Sequence, residues 1–280
     1  MSERIPAYRL RRQILAGLIL AVAYIIVLGP IVFVCIASFD YGARAYVIFP
    51  PERFTLESYW QIPQRYWDAL WVSVRLAAVT MVAACAIGIP AAIGVVRGRF
   101  AGKRLILTMF RFPLQIPSVV SGVAFLQAYY AVGDWTGWHG VGSFAGLAIA
   151  HTFAATPYVV GTMVTALQRF DDSVEEAAVI LGASTMGTLW QVTLPMLRPG
   201  IFAGALYAFM VSFAEVPMSV FLTGSTLLTF PVEVFNSMQF DFEPTILAIS
   251  TLVTVVSLFV VWLVQRIVGL DMFVKVGAAD

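Results

Sequence analysis

Long apolar runs separated by polar stretches dominate the hydrophobic pattern of this chain. A membrane-spanning helix needs about 20 mostly apolar residues. The strands of a transmembrane barrel would alternate apolar and polar positions, whereas these runs are continuously apolar. The predicted spans cover residues 14–37, 69–96, 105–132, 144–167, 200–222 and 245–265. The pattern therefore predicts an all-α membrane protein, with about six transmembrane helices in one domain over residues 1–280.

The distribution of basic residues predicts the orientation of these spans, because Lys and Arg are enriched in cytoplasmic loops. The predicted inner side carries Arg4, Arg9, Arg11, Arg12, Arg97, Arg99, Lys103, Arg104, Arg169, Arg198, Arg266 and Lys275. The predicted outer side carries Arg44, Arg53 and Arg65. Both termini are therefore expected in the cytoplasm. The apolar run 14–37 exceeds the about 7–15 residues of a cleavable signal core, so it is interpreted as an uncleaved first span.

The composition agrees with a protein that is partly covered by lipid. The chain is 60% hydrophobic and 12% charged, against about 45–50% and about 25% in globular domains. A net charge of +1 gives no basic patch for a nucleic acid. Cys35 and Cys85 lie in apolar runs without the Cys/His clustering of a zinc site, so no metal is expected.

Catalytic signatures are missing from the sequence. Gly102-Lys103 is preceded by Arg97 where a phosphate-binding loop needs its first Gly, so we expect no ATP hydrolysis by this chain. A membrane-embedded enzyme needs convergent catalytic groups, and His139 and His151 lie far apart in the sequence. An ion-coupled secondary transporter often has an inverted repeat and a coupling-ion site, and neither is visible. The chain is therefore not expected to be an enzyme.

The cytoplasmic segment 168–199, named the coupling segment below, is too long for a plain connector. Ser173 is predicted to cap a short helix, with Glu176 completing a capping box. Gly182 is predicted to end this helix, because glycine reaches the left-handed conformation of helix ends. Ser184 or Thr185 is then predicted to cap a second helix.

The second helix is predicted to stop before Pro195, because the residue before a proline disfavours helical geometry. In the first helix, the small side chains of Ala177 and Ala178 permit close approach to another surface. Glu175 and Glu176 favour the positive N-terminal end of a helix dipole. A docking element and a plain amphipathic interfacial helix both fit these features.

A motif in the coupling segment resembles the EAA loop of ABC importer permeases, Glu-Ala-Ala-x3-Gly-x9-Ile-x-Leu-Pro. The matching residues are Glu176, Ala177, Ala178, Gly182, Leu194 and Pro195, with Val192 in place of Ile. The resemblance implies the type I importer permease fold. It also implies that this loop, with the neighbouring Glu175, is the helix that docks on an ATPase subunit.

Three looser motifs resemble the spermidine/putrescine branch of that family. They are Phe54-Thr55-Leu56-x-x-Tyr59, Phe112-Pro113-Leu114-x-Ile116-Pro117 and Ser212-Phe213-Ala214-Glu215. The resemblance implies an inner-membrane subunit that passes a polyamine or similar amine; aminophosphonates, opines and ferric iron are the alternatives. It further implies an ATPase dimer that holds ATP and Mg²⁺, a second permease subunit in a heterodimer, and a substrate-binding protein. No cofactor is expected on this chain.

Polar residues inside the spans supply the candidate pathway. A charge at mid-membrane costs about 2.5–3.5 kcal/mol and usually faces a cavity or a partner. Glu215 is therefore predicted to line the pathway for a cation, and an internal pair with Arg75 is the alternative. His151 is interpreted as making an interhelical hydrogen bond. Tyr129 and Phe213 are further candidate pathway residues, although an interfacial aromatic belt also explains Tyr129.

Two other features bear on the pathway. Prolines interrupt four of the spans, and either a flexible pathway or ordinary helix kinks would explain them. They are Pro90, Pro113, Pro117, Pro157 and Pro217. The loop 223–244 carries Glu233, Asp241 and Glu243 without any Lys or Arg, which indicates an acidic outer mouth.

Overall fold

Helices make up the architecture of the described chain. The computed structural model describes residues 7–40, 49–51, 53–240 and 243–268. The helices are α1 (Ala7–Ala37), α2 (Glu57–Trp60), α3 (Gln64–Arg97), α4 (Lys103–Arg111), α5 (Ser118–Thr136), α6 (Phe144–Gln168), α7 (Ser173–Ile180), α8 (Thr185–Thr188), α9 (Leu194–Met196), α10 (Arg198–Phe213), α11 (Ser219–Leu222), α12 (Phe230–Phe240) and α13 (Thr245–Val268). The described residues contain isolated β-bridges but no β-strand, which confirms the all-α fold class.

Within the described residues, four helices are long and apolar enough to cross a membrane, and six spans result if each of two bent helix pairs counts as one span. One pair joins Lys103–Gln115 to Ser118–Thr136 at a bend of 100°. The other joins Thr185–Met196 to Arg198–Phe213 at 68°. The structure therefore agrees with a multi-pass protein whose third and fifth spans are broken.

Two of the predicted spans differ from the helices observed. The span 105–132 contains the break between α4 and α5, where a 3₁₀ turn covers Phe112–Gln115. The prolines Pro113 and Pro117 explain this break, since proline lacks the N–H that continues a helix. The span 200–222 was predicted as one helix, but α10 ends at Phe213 and the helix resumes only at Ser219.

The chain divides into two compact units, residues 1–63 with 237–265 and residues 64–236 with 266–280. In the first unit, α1 is followed by a turn in which the Thr55 N–H donates to the Phe39 carbonyl at 2.8 Å. The hydroxyls of Ser38 and Tyr59 lie 2.6 Å apart and tie α2 to the end of α1. The prediction of a single membrane domain stays a prediction.

The second unit is built around α3, α6 and α10, which pack closely at Val159. This side chain is fully buried. A Cβ on Gly88 of α3 would lie 2.9 Å from Val159 Cγ1, and one on Gly204 of α10 would lie 3.3 Å from Val159 Cα. Small residues let helix backbones approach inside a membrane. The glycines therefore set the spacing of the three helices that carry the candidate sites.

Some residues used in the predictions lie outside the described part of the chain. They are Arg4, Arg44, Asp241 and Lys275.

Candidate functional site: a coupling segment and a cavity between broken helices

The first helix of the coupling segment, α7, begins differently from the prediction. Ser173 is its first residue, and its N–H donates to Asp171 Oδ1 at 3.0 Å. Hydrogen bonds from the side chain and the backbone N–H of Ser173 lower the pKa of the Asp171 carboxyl below its usual value. The residue at the cap position, Asp172, makes no side-chain cap. The predicted capping box of Ser173 and Glu176 is therefore wrong, because Asp171 already occupies the Ser173 N–H.

The C-terminal end of α7 confirms the role of Gly182. Its φ is +90°, a left-handed conformation that a Cβ disfavours. The Gly182 N–H donates to the Val179 carbonyl at 2.9 Å, and the Ala183 N–H donates to the Ala178 carbonyl at 3.0 Å. This pair of bonds is the Schellman motif, which ends a helix and satisfies its last carbonyls.

The second helix continues past the predicted end. Ser184 caps α8, as predicted, by accepting from the Gly187 N–H at 3.1 Å. A π turn over Leu189–Thr193 then leads into α9, which contains Pro195. The wider turn bonds the Leu194 N–H to the Leu189 carbonyl, five residues back. A proline clashes with the carbonyl four residues before it in an α-helix, and a π turn relieves that clash. The predicted stop before Pro195 is wrong for this reason.

Glu175 faces the protein interior. Its carboxylate pairs with Arg97, at the end of α3, and accepts a hydrogen bond from Thr193 in the π turn. The Arg97 guanidinium also lies 5.3 Å from the Phe170 ring centroid. The Glu175 side chain is 17% exposed. These contacts tie α7 to the end of α3 and to the π turn, so Glu175 orients the coupling segment from within.

Part of the surface of the coupling segment is apolar and exposed. Four side chains form this surface, called the docking face: Val179, Ile180, Leu181 and Met186 are 56%, 84%, 87% and 63% exposed. The predicted docking residues Glu176 and Ala177 are also exposed, whereas Ala178, Leu194 and Pro195 are half-buried. Clustered apolar side chains of this exposure are typical of a surface that another protein covers.

The 3₁₀ break between α4 and α5 and the interruption between α10 and α11 meet at a cavity beside the middle of α6. Its volume is about 250 Å³. The pathway cavity, as we call it, is lined by Pro113, Leu114, Ile116, Ser118, Ser121, Phe153, Ala154, Tyr158, Val211, Glu215 and Met218. Transporters commonly bind solutes where two membrane helices are discontinuous, because polar groups become available there.

Glu215 lies in the break between α10 and α11 and is half-buried. Its Oε1 accepts a hydrogen bond from the Met218 N–H at 3.0 Å. In the described part of the chain, no ion pair joins Glu215 to Arg75, whose guanidinium lies 4.7 Å from the Trp71 ring centroid. The alternative of an internal Glu215–Arg75 pair is therefore wrong.

His151 bridges the two sides of the same break. Its Nδ1 lies 2.8 Å from Ser212 Oγ, and its Nε2 lies 2.9 Å from Ser219 Oγ. The imidazole is 1% exposed. The prediction of an interhelical hydrogen bond is confirmed, and both ring nitrogens take part.

Tyr129 and Phe213, the other candidate pathway residues, do not line the pathway cavity. The Tyr129 hydroxyl donates to the Gly146 carbonyl at 2.7 Å, and its ring meets Trp138 edge-on at 5.4 Å. Phe213 stacks on Phe209 at 6.1 Å. Tyr129 thus packs α5 against the start of α6, whereas the Phe213 contact lies within α10 itself.

The structure also changes the interpretation of the loop 223–244 as an acidic outer mouth. Glu233 is mostly buried and pairs with Arg65 at 3.3 Å, so its charge is compensated. Asp241 is outside the described residues, and Glu243 accepts a hydrogen bond from the Thr245 hydroxyl at 3.3 Å. The argument for a cation therefore rests on Glu215 rather than on this loop.

Several residues of both sites were missed by sequence reasoning. Arg97 was used to assign the inner side and to exclude a phosphate-binding loop, although it pairs with Glu175. Phe153 and Tyr158 lie in the mostly apolar helix α6, and the residues singled out near them were His151 and Pro157. Residues that meet through tertiary packing leave no spacing pattern in one sequence.

The comparisons with known proteins identify the family. Residues 84–273 match the family described as "Binding-protein-dependent transport system inner membrane component". This chain belongs to that family. The match includes the coupling segment and every residue that lines the pathway cavity.

Three relatives differ in the substrate that their names give. The chain is 34% identical over 187 residues to the putrescine transport system permease protein PotI of Escherichia coli, and the alignment spans 66% of each chain. It is 32% identical over 195 residues to the spermidine/putrescine permease PotC of Haemophilus influenzae, covering 70% of this chain and 74% of PotC. It is 32% identical over 202 residues to the molybdenum permease ModB of Mycobacterium tuberculosis, covering 69% of this chain and 76% of ModB.

Proposed function

We propose that this chain is a permease subunit of an ATP-driven importer and that it passes a small organic amine, with putrescine and spermidine as the first candidates. Its family and the names of two relatives support this function. A third relative is named for molybdenum, so similarity alone does not choose the substrate. Features of the pathway cavity are needed for that choice.

The observation that carries the proposal is the carboxylate of Glu215 in the pathway cavity. Among the described residues that line it, Glu215 is the one carboxylic acid, and none is Lys, Arg or His. A carboxylate attracts an ammonium group and accepts a charge-assisted hydrogen bond from it. The aromatic rings of Phe153 and Tyr158 add surfaces that suit a methylene chain or a cation. An anion would find no cationic side chain there.

Energy reaches the pathway from a separate ATPase pair, which binds ATP and Mg²⁺. The docking face on α7 and α8 is the proposed contact, since Ile180 and Leu181 are highly exposed. Closure of the ATPases would move the coupling segment. Because α7 is tied to α3 through Glu175 and Arg97, that movement would reach the helices around the pathway cavity.

The assembly and its orientation are part of the same proposal. A second, different permease subunit completes the pathway, and a binding protein delivers solute outside the inner membrane. Both chain termini lie in the cytoplasm. Reporter fusions at Glu57 and Arg99 should therefore report opposite sides of the membrane, and the same side for both would contradict the orientation.

The function is tested by uptake of labelled putrescine into proteoliposomes that contain the purified complex and its binding protein. Uptake should require ATP and should be competed by spermidine. Uptake driven by an ion gradient without ATP would overturn the importer assignment. ATP-dependent uptake of molybdate that putrescine does not inhibit would overturn the amine assignment.

A further inference from the structure

His151 links three helices at the break that carries Glu215. It lies on α6, Ser212 lies in the last turn of α10, and Ser219 is the first residue of α11. Both serines are buried, at 4% and 0% exposure. Each ring nitrogen of His151 therefore has one hydroxyl partner in a place from which water is excluded.

The second contact of Ser219 determines which nitrogen carries the proton. The Ser219 hydroxyl donates to the Glu215 carbonyl at 3.0 Å. A hydroxyl has one hydrogen, so Ser219 Oγ must then accept from His151 Nε2–H. In a neutral imidazole the other nitrogen is an acceptor, so Nδ1 receives the hydrogen of Ser212.

The opposite tautomer satisfies fewer of these contacts. With the proton on Nδ1, the Ser219 hydroxyl would have to donate to Nε2, and its bond to the Glu215 carbonyl would be lost. A buried polar group that loses its hydrogen bond is costly. The tautomer with the proton on Nε2 is thus the one that keeps all three observed contacts.

We propose that His151 is a positioning residue that fixes the Glu215 backbone. As the neutral Nε2–H tautomer, it is the middle member of a hydrogen-bond chain. In this chain Ser212 donates to His151, His151 donates to Ser219, and Ser219 donates to the Glu215 carbonyl. The carboxylate of Glu215 is held at the same break by the Met218 N–H. The chain therefore sets where this carboxylate enters the pathway cavity. Its effect on transport rests on the proposed function, whereas the tautomer does not.

The tautomer can be measured directly, because the chain contains two histidines. Nitrogen-15 NMR of the histidine-labelled complex in lipid, compared with the His139→Asn variant, isolates the signals of His151. His139 is exposed and serves as the removable reference. A protonated Nε2 and an unprotonated Nδ1 are expected. A protonated Nδ1, or an imidazolium at neutral pH, would overturn the proposal whatever the substrate is.

A matched pair of variants tests positioning. Ser219→Ala removes the bond to the Glu215 carbonyl, whereas Ser212→Ala removes only the far end of the chain. Loss of one buried hydrogen bond corresponds to about a three- to tenfold change. Ser219→Ala should raise the KM for putrescine uptake by about that factor, with a smaller effect on kcat. Ser212→Ala should raise the KM less.

Ser219→Thr keeps the hydroxyl but adds a methyl group at a fully buried position, so its KM should stay below that of Ser219→Ala even if less of the complex assembles. Equal effects of the two alanine variants, or an unchanged KM in Ser219→Ala, would overturn the positioning role. If Ser219→Ala does not assemble, Ser212→Ala decides instead, and a KM equal to that of the wild type would overturn the positioning role. Absence of putrescine uptake by the wild-type complex would defeat the proposed function, while the NMR result would still decide the tautomer.

Discussion

The coupling segment and the pathway cavity each contain a glutamate near the end of a helix, but they place its charge differently. Glu175 is directed inward and pairs with Arg97, while apolar side chains cover the outer surface. Glu215 faces an open cavity, and its observed contact is a backbone N–H rather than a basic side chain. The Glu175 carboxylate is therefore neutralised by Arg97, whereas the Glu215 carboxylate is available to a ligand.

The difference shows that the sequence position of a charge does not reveal its role. Glu175 adjoins a docking motif and yet serves to orient the loop that bears it. Glu215 lies within an apolar span, where an internal ion pair was a reasonable alternative. The two regions should therefore respond differently to mutation: changes at the cavity should alter the use of substrate, and changes in the coupling segment should alter the coupling of ATP hydrolysis to transport.

The largest effect is expected from Glu215→Gln, which keeps the size of the side chain and removes its charge. ATP-dependent putrescine uptake should fall at least about tenfold, which corresponds to about 1.4 kcal/mol of lost attraction. Assembly with the ATPase should be unchanged, as measured by co-purification. Glu215→Asp keeps the charge and should retain part of the uptake. Normal transport by Glu215→Gln would remove the pathway role.

Gly182→Val should uncouple the complex. A Cβ at this position would meet no atom within 4 Å, so the strain comes from the backbone alone. A left-handed conformation costs a residue with a side chain about 1–2 kcal/mol, and a β-branched one is among the least tolerant. Transport should fall several-fold more than basal ATPase activity does.

Gly182→Asn is the matched control, since asparagine adopts the left-handed conformation more readily. It should retain most of the coupled transport. Equal loss in both variants would show that the conformation of residue 182 is not what matters.

A smaller loss is expected from Glu175→Gln, which breaks the ion pair with Arg97 but leaves a group that can accept from Thr193. Breaking a buried pair costs about 3–5 kcal/mol, and this partly exposed one should cost less. The ratio of transport to ATP hydrolysis should fall, whereas the KM for substrate should not change. The exchange Arg97→Glu with Glu175→Arg should recover part of the ratio. A raised KM in Glu175→Gln would contradict the separation of the two regions.

The smallest effect concerns the scaffold that both regions share. In Gly204→Ala the new Cβ would lie 2.6 Å from Thr162 Oγ1 and 3.3 Å from Val159 Cα, so the Thr162 side chain must rotate and the two backbones must separate by a few tenths of an ångström. Overpacking typically costs about 1–3 kcal/mol, and the melting temperature in detergent should fall. Gly161→Ala meets no atom within 4 Å and should leave the melting temperature equal or slightly higher. A fall in both would point to a general intolerance of α6 and α10.

Much of the fold could be predicted from the sequence, because each span and the Gly182 turn depend on nearby residues. The errors arose where neighbouring residues competed for the same group. The Ser173 N–H donates to Asp171, so it is not available for the predicted capping box. The π turn before Pro195 accommodates the proline, so the helix does not stop there. The end of α10 at Phe213 was missed because the span 200–222 was assigned from its mostly apolar composition, and Glu215 and Pro217 were treated as features within one helix.

The sequence by itself determined that the chain belongs in a membrane, roughly where its spans lie and which loop carries the EAA-like motif. Those properties follow from hydrophobic periodicity and local backbone preferences, which act over a few residues. Only the tertiary structure decided that Arg97 compensates Glu175, that Tyr129 is engaged in packing, and that Glu215 opens into a cavity. Such pairings join residues far apart in the chain, and their energies depend on distance, burial and the position of each hydrogen.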